Sequence, residues 1–213
     1  FIYASSAATY GAGENGYSDD ESLLETLVPL NPYGASKQWF DLWAKEVGAL
    51  KDIVGLKYFN VFGPNEYHKK DMQSMVRKGF LQVRDTDALN LFKSYKSGYG
   101  DGEQERDFLY VRDAVAMTLF FLEHEDVGGI YNVGSGKARN WNDLASAIFQ
   151  VMNKKADINY IEMPESIRDQ YQYHTCAKME KIRSAGYTET ITSLEEGILD
   201  YLKNYLIPDK HLH

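Results

Sequence analysis

Tyr33 and Lys37 stand four residues apart, a spacing that puts both on one face of a helix. An ammonium beside a phenol favours the phenolate, a base able to take a proton from a sugar hydroxyl while hydride leaves the same carbon. The spacing alone has little weight. Sixteen tyrosines and sixteen lysines in 213 residues supply about one Tyr-x-x-x-Lys by chance, and the chain has one. By itself the pair reads as an exposed tyrosine beside a solvated lysine. Upstream, Tyr3-Ala4-Ser5-Ser6-Ala7-Ala8-Thr9-Tyr10-Gly11 closes a stretch that reads as a parallel strand, and open α/β sheets bind ligands at the carboxyl ends of their strands. Ser6 there can hydrogen-bond the hydroxyl that Tyr33 deprotonates; plain turn chemistry also explains a Ser-rich strand end. The joint occurrence of strand-end Ser, capped helix and Tyr-x-x-x-Lys is what chance rarely supplies.

His68-Lys69-Lys70 offers a second acid/base group at Lys69, provided that desolvation or the neighbouring Lys70 lowers its proton affinity. Taken alone, the run reads as a solvated surface. Gly134-Ser135-Gly136 lacks a third glycine at the dinucleotide-fingerprint spacing and reads as a tight turn. His124, His174, His211 and His213 have no metal-ligand partners at helical spacing. Asp19, Asp20 and Glu21 read as a solvated acidic run, and Cys176 as an indifferent thiol.

Strands and helices must carry these side chains. The opening residues Phe1 to Ser5 read as a buried strand. Asn31 and Pro32 set up a helix, as N-cap and first helical residue, in which Trp39, Phe40, Trp43 and Val47 form one apolar face. Ile53 to Phe62 reads as a second buried strand, so that strand, helix and strand make a βαβ crossover. Helices follow over 72–83, 113–123, from the Asn140 cap to 152, and from the Ser193 cap to 205. Strands are expected at 89–92, 108–111, 130–133 and 158–161. The alternation makes the class α/β.

The formal charge is −8, and residues 66–106 balance eight Lys/Arg against seven Asp/Glu, so no basic face for nucleic acid is expected. No apolar run reaches the ~18 residues of a membrane span. One cysteine cannot make an internal disulfide, which fits a reducing, cytoplasmic setting.

With SSAATYG, NPYGASK and LKYFNVFGP in place, the chain resembles the extended short-chain dehydrogenase/reductases that act on nucleotide sugars. The resemblance implies a Rossmann-like doubly wound parallel sheet and a smaller α/β substrate-binding domain. It makes Tyr33 the catalytic base, Lys37 a contact of the nicotinamide ribose and Ser6 the assistant of Tyr33. RDFLYVRDA also matches, and its Arg106 would contact the nucleotide diphosphate. Residues 1–63 would be the remainder of the Rossmann-like domain and 64–213 mainly the substrate domain, with 107–135 returning to the first sheet.

YASSAATYG, YFNVFGPNEYHKKDM and LFKSYKSGYGDGEQERDFLYVRD together resemble the ADP-L-glycero-D-manno-heptose 6-epimerase family. That resemblance makes Lys69 a second acid/base group, which would also touch the cofactor with Tyr33. Asn60 would bind substrate and Val61 the cofactor. Phe92, Lys93, Ser94, Arg106 and Tyr171 would contact an ADP-sugar, as would Asp71 and Lys78, the two positions that depart from the family pattern. NADP is the implied cofactor, with NAD as the alternative, and homo-oligomers, pentamers among them, are the implied assemblies.

The reaction implied is inversion of C6 of ADP-D-glycero-D-manno-heptose for a lipopolysaccharide core, through a 6-keto sugar. A 4,6-dehydratase would need an acidic pair where Ala7 and Ala8 stand. A UDP-hexose 4-epimerase shares Ser, Tyr and Lys and is separated by the Lys69 segment. A non-catalytic nucleotide-binding relative is the alternative from another class. No glycine-rich phosphate turn precedes Ser6, where the superfamily would place about 110 residues. The expectation is therefore the C-terminal two-thirds of an enzyme, inactive by itself.

Overall fold

The chain opens with β1 (Ile2–Ser6), a short 3-10 turn (Ala7–Tyr10) and a polar loop, then enters α1 (Pro32–Glu46). Asn31 caps α1 by accepting the Gly34 N–H at 2.8 Å, with Pro32 preset for the first helical position. Then follow β2 (Val54–Tyr58), β3 (Asn60–Phe62), α2 (Met75–Thr86), β4 (Leu89–Phe92), β5 (Glu105–Tyr110) and α3 (Val111–Glu123). The remaining elements are β6 (Gly129–Val133), β7 (Ala138–Asn140), α4 (Trp141–Val151), β8 (Ile158–Ile161), α5 (Glu165–Arg168), α6 (Glu180–Ser184) and α7 (Leu194–Tyr201). This computed structural model describes residues 1–168 and 170–211.

β1, β2 and β6 form a parallel sheet in that order, with Ser6 level with Tyr58 at the carboxyl end. β3 runs parallel to β5, and β7 is antiparallel on the other side of β5. β4 and β8 make a two-stranded parallel ladder. The class is mixed α/β, as the alternation of elements requires.

The single strand expected from Ile53 to Phe62 is two. At Phe59 the backbone N–H still reaches the Val133 carbonyl at 3.0 Å, but Val61 bonds back to the Phe59 carbonyl, and the chain turns away to pair with β5. One apolar stretch therefore serves two sheets.

Alternate residues of β2 face opposite layers. Val54 and Leu56 pack with Met117 and Phe121 of α3, whereas Lys57 faces α1. Val83, Leu89, Leu144, Ile148 and Ile198 make a separate core between α2, β4, α4 and α7. Asn140 and Ser193 cap α4 and α7 with reciprocal capping boxes through Asp143 and Glu196. α2 begins at Met75 rather than 72, because Tyr67–Met72 is a 3-10 turn and Ser74 caps the helix.

The expected apolar face of α1 is overturned. Trp39 is 70% exposed and Trp43 51%, and Val47 is exposed as well, while the buried residues are Gly34, Gln38, Asp41 and Ala44. The face of the sheet that α1 meets carries Tyr3, Ser5 and Lys57, which call for polar partners. The acidic run Asp19 to Glu21 is also not all solvated. Asp19 is buried and accepts the Asn132 N–H at 2.8 Å, while Glu21 accepts the Ile130 N–H at 2.9 Å and pairs with Lys181. These contacts lie along the outer edge of β6. No helix among the described residues is long and apolar enough to cross a membrane.

Candidate active site

At the carboxyl end of β1, Ser6 is buried and caps the 3-10 turn, its Oγ accepting the Ala8 N–H at 3.1 Å. α1 approaches this turn closely, and Gly34 permits it: a Cβ there would lie 2.7 Å from the Ala8 carbonyl oxygen. Its neighbour Tyr33 is therefore held beside the strand end, 57% exposed. Lys37 lies one turn along, its Nζ donating to the Ala4 carbonyl at 2.8 Å and standing 5.8 Å from the centre of the Tyr33 ring. The structure thus brings Ser6, Tyr33 and Lys37 to one strand end.

Beneath them lies a charged network that the sequence does not announce. Asp41 of α1 and Lys57 of β2 are both fully buried, with Nζ and Oδ2 3.3 Å apart. The Asp41 carboxylate accepts the Tyr3 hydroxyl at 2.9 Å and the Ser5 hydroxyl at 2.8 Å. Lys57 donates to Thr9 Oγ1 at 2.7 Å, and the Thr9 hydroxyl donates to the Ser6 carbonyl at 2.9 Å. Burial holds the Lys57 ammonium below the usual lysine range, with Asp41 acting against that shift. One sequence signal was available: Asp41 follows Tyr33 and Lys37 at the same four-residue interval.

Asn60 and Val61 begin β3 just past the end of β2, Asn60 exposed and Val61 half-buried. Lys69 is exposed on the following 3-10 turn, next to Lys70, whose backbone sits at φ 47° and ψ −121°. The turn is pinned by Glu66, a buried carboxylate that accepts both the N–H and the hydroxyl of Ser74. Asp71 and Lys78 are joined, Lys78 Nζ donating to the Asp71 carbonyl at 2.5 Å.

Arg106 and Phe92 gather around Tyr171. Arg106 is buried, its guanidinium 4.9 Å from the centre of the Tyr171 ring and 5.7 Å from that of Trp141. Its hydrogen bond is to the carbonyl of its neighbour Glu105, at 2.7 Å, and no carboxylate among the described residues pairs with it. Burial pulls this guanidinium below the usual arginine range. Beside it, Phe92, Trp141, Tyr171, Ile161, Gln82 and Asn90 line a cavity of about 380 Å³. Trp141 was not anticipated; it meets Tyr171, its Nε1 donating to the phenol oxygen at 3.0 Å, only through the fold. Lys93 is half-exposed and paired with Glu162 at 2.6 Å, and the Ser94 N–H donates to the Asp101 carboxylate at 2.7 Å.

The remaining candidates have structural partners. The N–H groups of Ser135 and Gly136 both donate to Asp107, so these two are taken. His124 stacks on Phe120, His174 bonds Glu105, and His211 lies on Tyr67; His213 is outside the described residues. No cluster of metal-ligating side chains occurs among the described residues. Burial pushes the Cys176 thiol up, away from reactivity.

Residues 1–134, from β1 through β6, match the model of the NAD dependent epimerase/dehydratase family. The chain belongs to this family. Two epimerase relatives extend the likeness beyond that segment. The chain is 50% identical over 206 residues to the ADP-L-glycero-D-manno-heptose-6-epimerase of Nitratidesulfovibrio vulgaris, covering 97% of this chain and 64% of that protein. It is 50% identical over 215 residues to the same-named protein of Fusobacterium nucleatum, covering 97% and 65%. The solved structure of the Helicobacter pylori ADP-L-glycero-D-manno-heptose-6-epimerase superposes with a TM-score of 0.76 at 32% identity, over 95% of this chain and 58% of that one. The chain spans just under two thirds of the length of the curated relatives it matches.

Proposed function

We propose that the protein carrying this chain is a nucleotide-sugar epimerase that inverts C6 of ADP-D-glycero-D-manno-heptose through a 6-keto sugar. The observation that carries the reading is Arg106. A buried guanidinium with no acidic partner among the described residues calls for an anion, and the aromatic cavity beside it suits the base of a nucleoside diphosphate. The names of the relatives in the previous subsection support the ADP-heptose as substrate.

Tyr33 takes the proton of the C6 hydroxyl, with Lys37 beside its ring and Ser6 hydrogen-bonding the same oxygen. A bound nicotinamide cofactor, NADP or NAD, supplies the reversible hydride acceptor. The donor set suits it: Lys37 has one N–H on the Ala4 carbonyl, which leaves two for a ribose, and Val61 and Lys69 stand in the segment that follows. Inversion then requires the exocyclic group to turn, so that C6 is reduced from its other face. The keto oxygen recovers a proton from Lys69 or Tyr33. Asn60, Asp71, Lys78, Phe92, Lys93, Ser94 and Tyr171 are assigned to the ADP-sugar on the family pattern.

The test is turnover by the full-length protein in deuterated water, followed by NMR at the heptose carbons. Inversion at C6 with no deuterium at C5 or C7 is expected. Deuterium at either position would replace the direct route by enolisation, and turnover of UDP-galactose without ADP-heptose would overturn the substrate.

A further inference from the structure

We propose that Asp41 and Lys57 are the positioning residues of this site, their buried pair setting the register of α1 on β1 and so placing Tyr33 and Lys37 against Ser6. Gln38 on the Leu24 carbonyl and Lys45 on Glu21 and Glu25 tie α1 to the preceding loop, whereas Asp41 grips the sheet itself. Of the four buried residues of α1, Ala44 is the one apolar side chain, while its indoles at Trp39 and Trp43 face outward. Apolar packing of this kind lets a helix slide at small cost, whereas hydrogen bonds to a carboxylate do not.

The contacts of the pair fall where register is decided. Asp41 grips Tyr3 and Ser5, alternate residues on the same face of β1, and Ser5 is level with Lys57 across the sheet. Lys57 continues through Thr9 to the carbonyl of Ser6. One end of the network is thus two helical turns from Tyr33, and the other is the backbone of Ser6. A buried ion pair is weak evidence for stability, since apolar replacements often do as well, and a geometric role explains its retention better.

The effect on turnover rests on the epimerase reading; the effect on register does not. Two measurements separate them. In the full-length protein, Asp41→Asn keeps the volume and removes the charge, and Thr9→Val cuts the link to Ser6 without altering charge. Hydrogen exchange should accelerate about tenfold or more in α1 under Asp41→Asn, with α4 and α7 unchanged. Unchanged exchange in α1, or equal acceleration everywhere, overturns the proposal. In the full-length protein, kcat should fall roughly 10- to 100-fold for Asp41→Asn and 3- to 10-fold for Thr9→Val, with KM for the ADP-sugar within twofold. Lys57→Arg, which keeps the charge opposite Asp41, should keep most of kcat. Losses in which kcat falls and KM rises together, in step with melting temperature, would make the pair merely structural. No turnover by the unaltered protein would sink the epimerase reading and leave the exchange result to decide the register.

Discussion

The Arg106 guanidinium lies 4.9 Å from the centre of the Tyr171 ring, in a buried site where the described residues supply no carboxylate. Flat stacking on an aromatic face offsets part of the lost hydration, but a buried cation without a counter-ion remains costly. Arg106→Met should therefore have effects of opposite sign. The melting temperature of the free chain rises by several degrees, for a gain of about 1–2 kcal/mol. Affinity for ADP or an ADP-sugar falls by roughly 30-fold or more, the loss of a charge-assisted contact of about 2–3 kcal/mol. Thermal melts and titration calorimetry measure the two, and a fall in both would mean that Arg106 serves the fold.

Lys57→Met leaves the Asp41 carboxylate buried and unpaired, and should cost about 3–5 kcal/mol in urea unfolding. The double variant Asp41→Leu with Lys57→Met should recover most of that stability, since no charge is left stranded. Recovery of stability without recovery of kcat would separate the two roles of the pair.

Tyr33→Phe removes one hydroxyl that makes no hydrogen bond among the described residues, so the fold should be unaffected within about 0.5 kcal/mol. In the full-length protein kcat should fall by roughly 10²- to 10⁴-fold, while ADP binding is unchanged. Retained turnover would remove Tyr33 from the chemistry.

Alkaline stability follows from buried phenols. Burial, with help from a nearby carboxylate, raises the proton affinity of Tyr3, Tyr110 and Tyr201, and burial does the same for Tyr10. A phenol that holds its proton more tightly folded than unfolded contributes in full below its unfolded pKa of about 10, and loses that contribution as the pH rises further. Lys57, depressed by burial, acts in the opposite sense below about pH 10.4, against these phenols and those of Tyr17, Tyr131, Tyr171 and Tyr187, which burial shifts the same way. Absorbance at 295 nm should step up above pH 10 together with loss of the circular dichroism of the fold. Gradual ionisation with the fold intact would contradict this.

Elements governed by local rules were legible in the sequence. The Asn31 cap with Pro32, and the boxes that pair Asn140 with Asp143 and Ser193 with Glu196, depend on neighbours a few residues apart. α1 shows where such reading ends. The period of Trp39, Trp43 and Val47 marks a helix, but its inner face was set by residues remote in sequence: Tyr3, Ser5 and Lys57 call for Asp41, and the Leu24 carbonyl for Gln38. The same limit hid Trp141, which reaches Tyr171 only when α4 and the 171 segment meet. Tyr33 and Lys37 could be singled out as candidates because they stand four residues apart, and Ser6 because it closes a strand-like stretch.

Asp19 and Glu21 occupy the outward N–H groups of Asn132 and Ile130, and Lys181 donates to the Ile130 carbonyl at 2.8 Å. A strand whose outer donors and acceptor are taken gives a second molecule no template to pair with, and charge at that edge repels an approaching sheet. What reads as a plain acidic loop thus guards this flank against aggregation, at a point where the chain is otherwise rich in strand-forming residues.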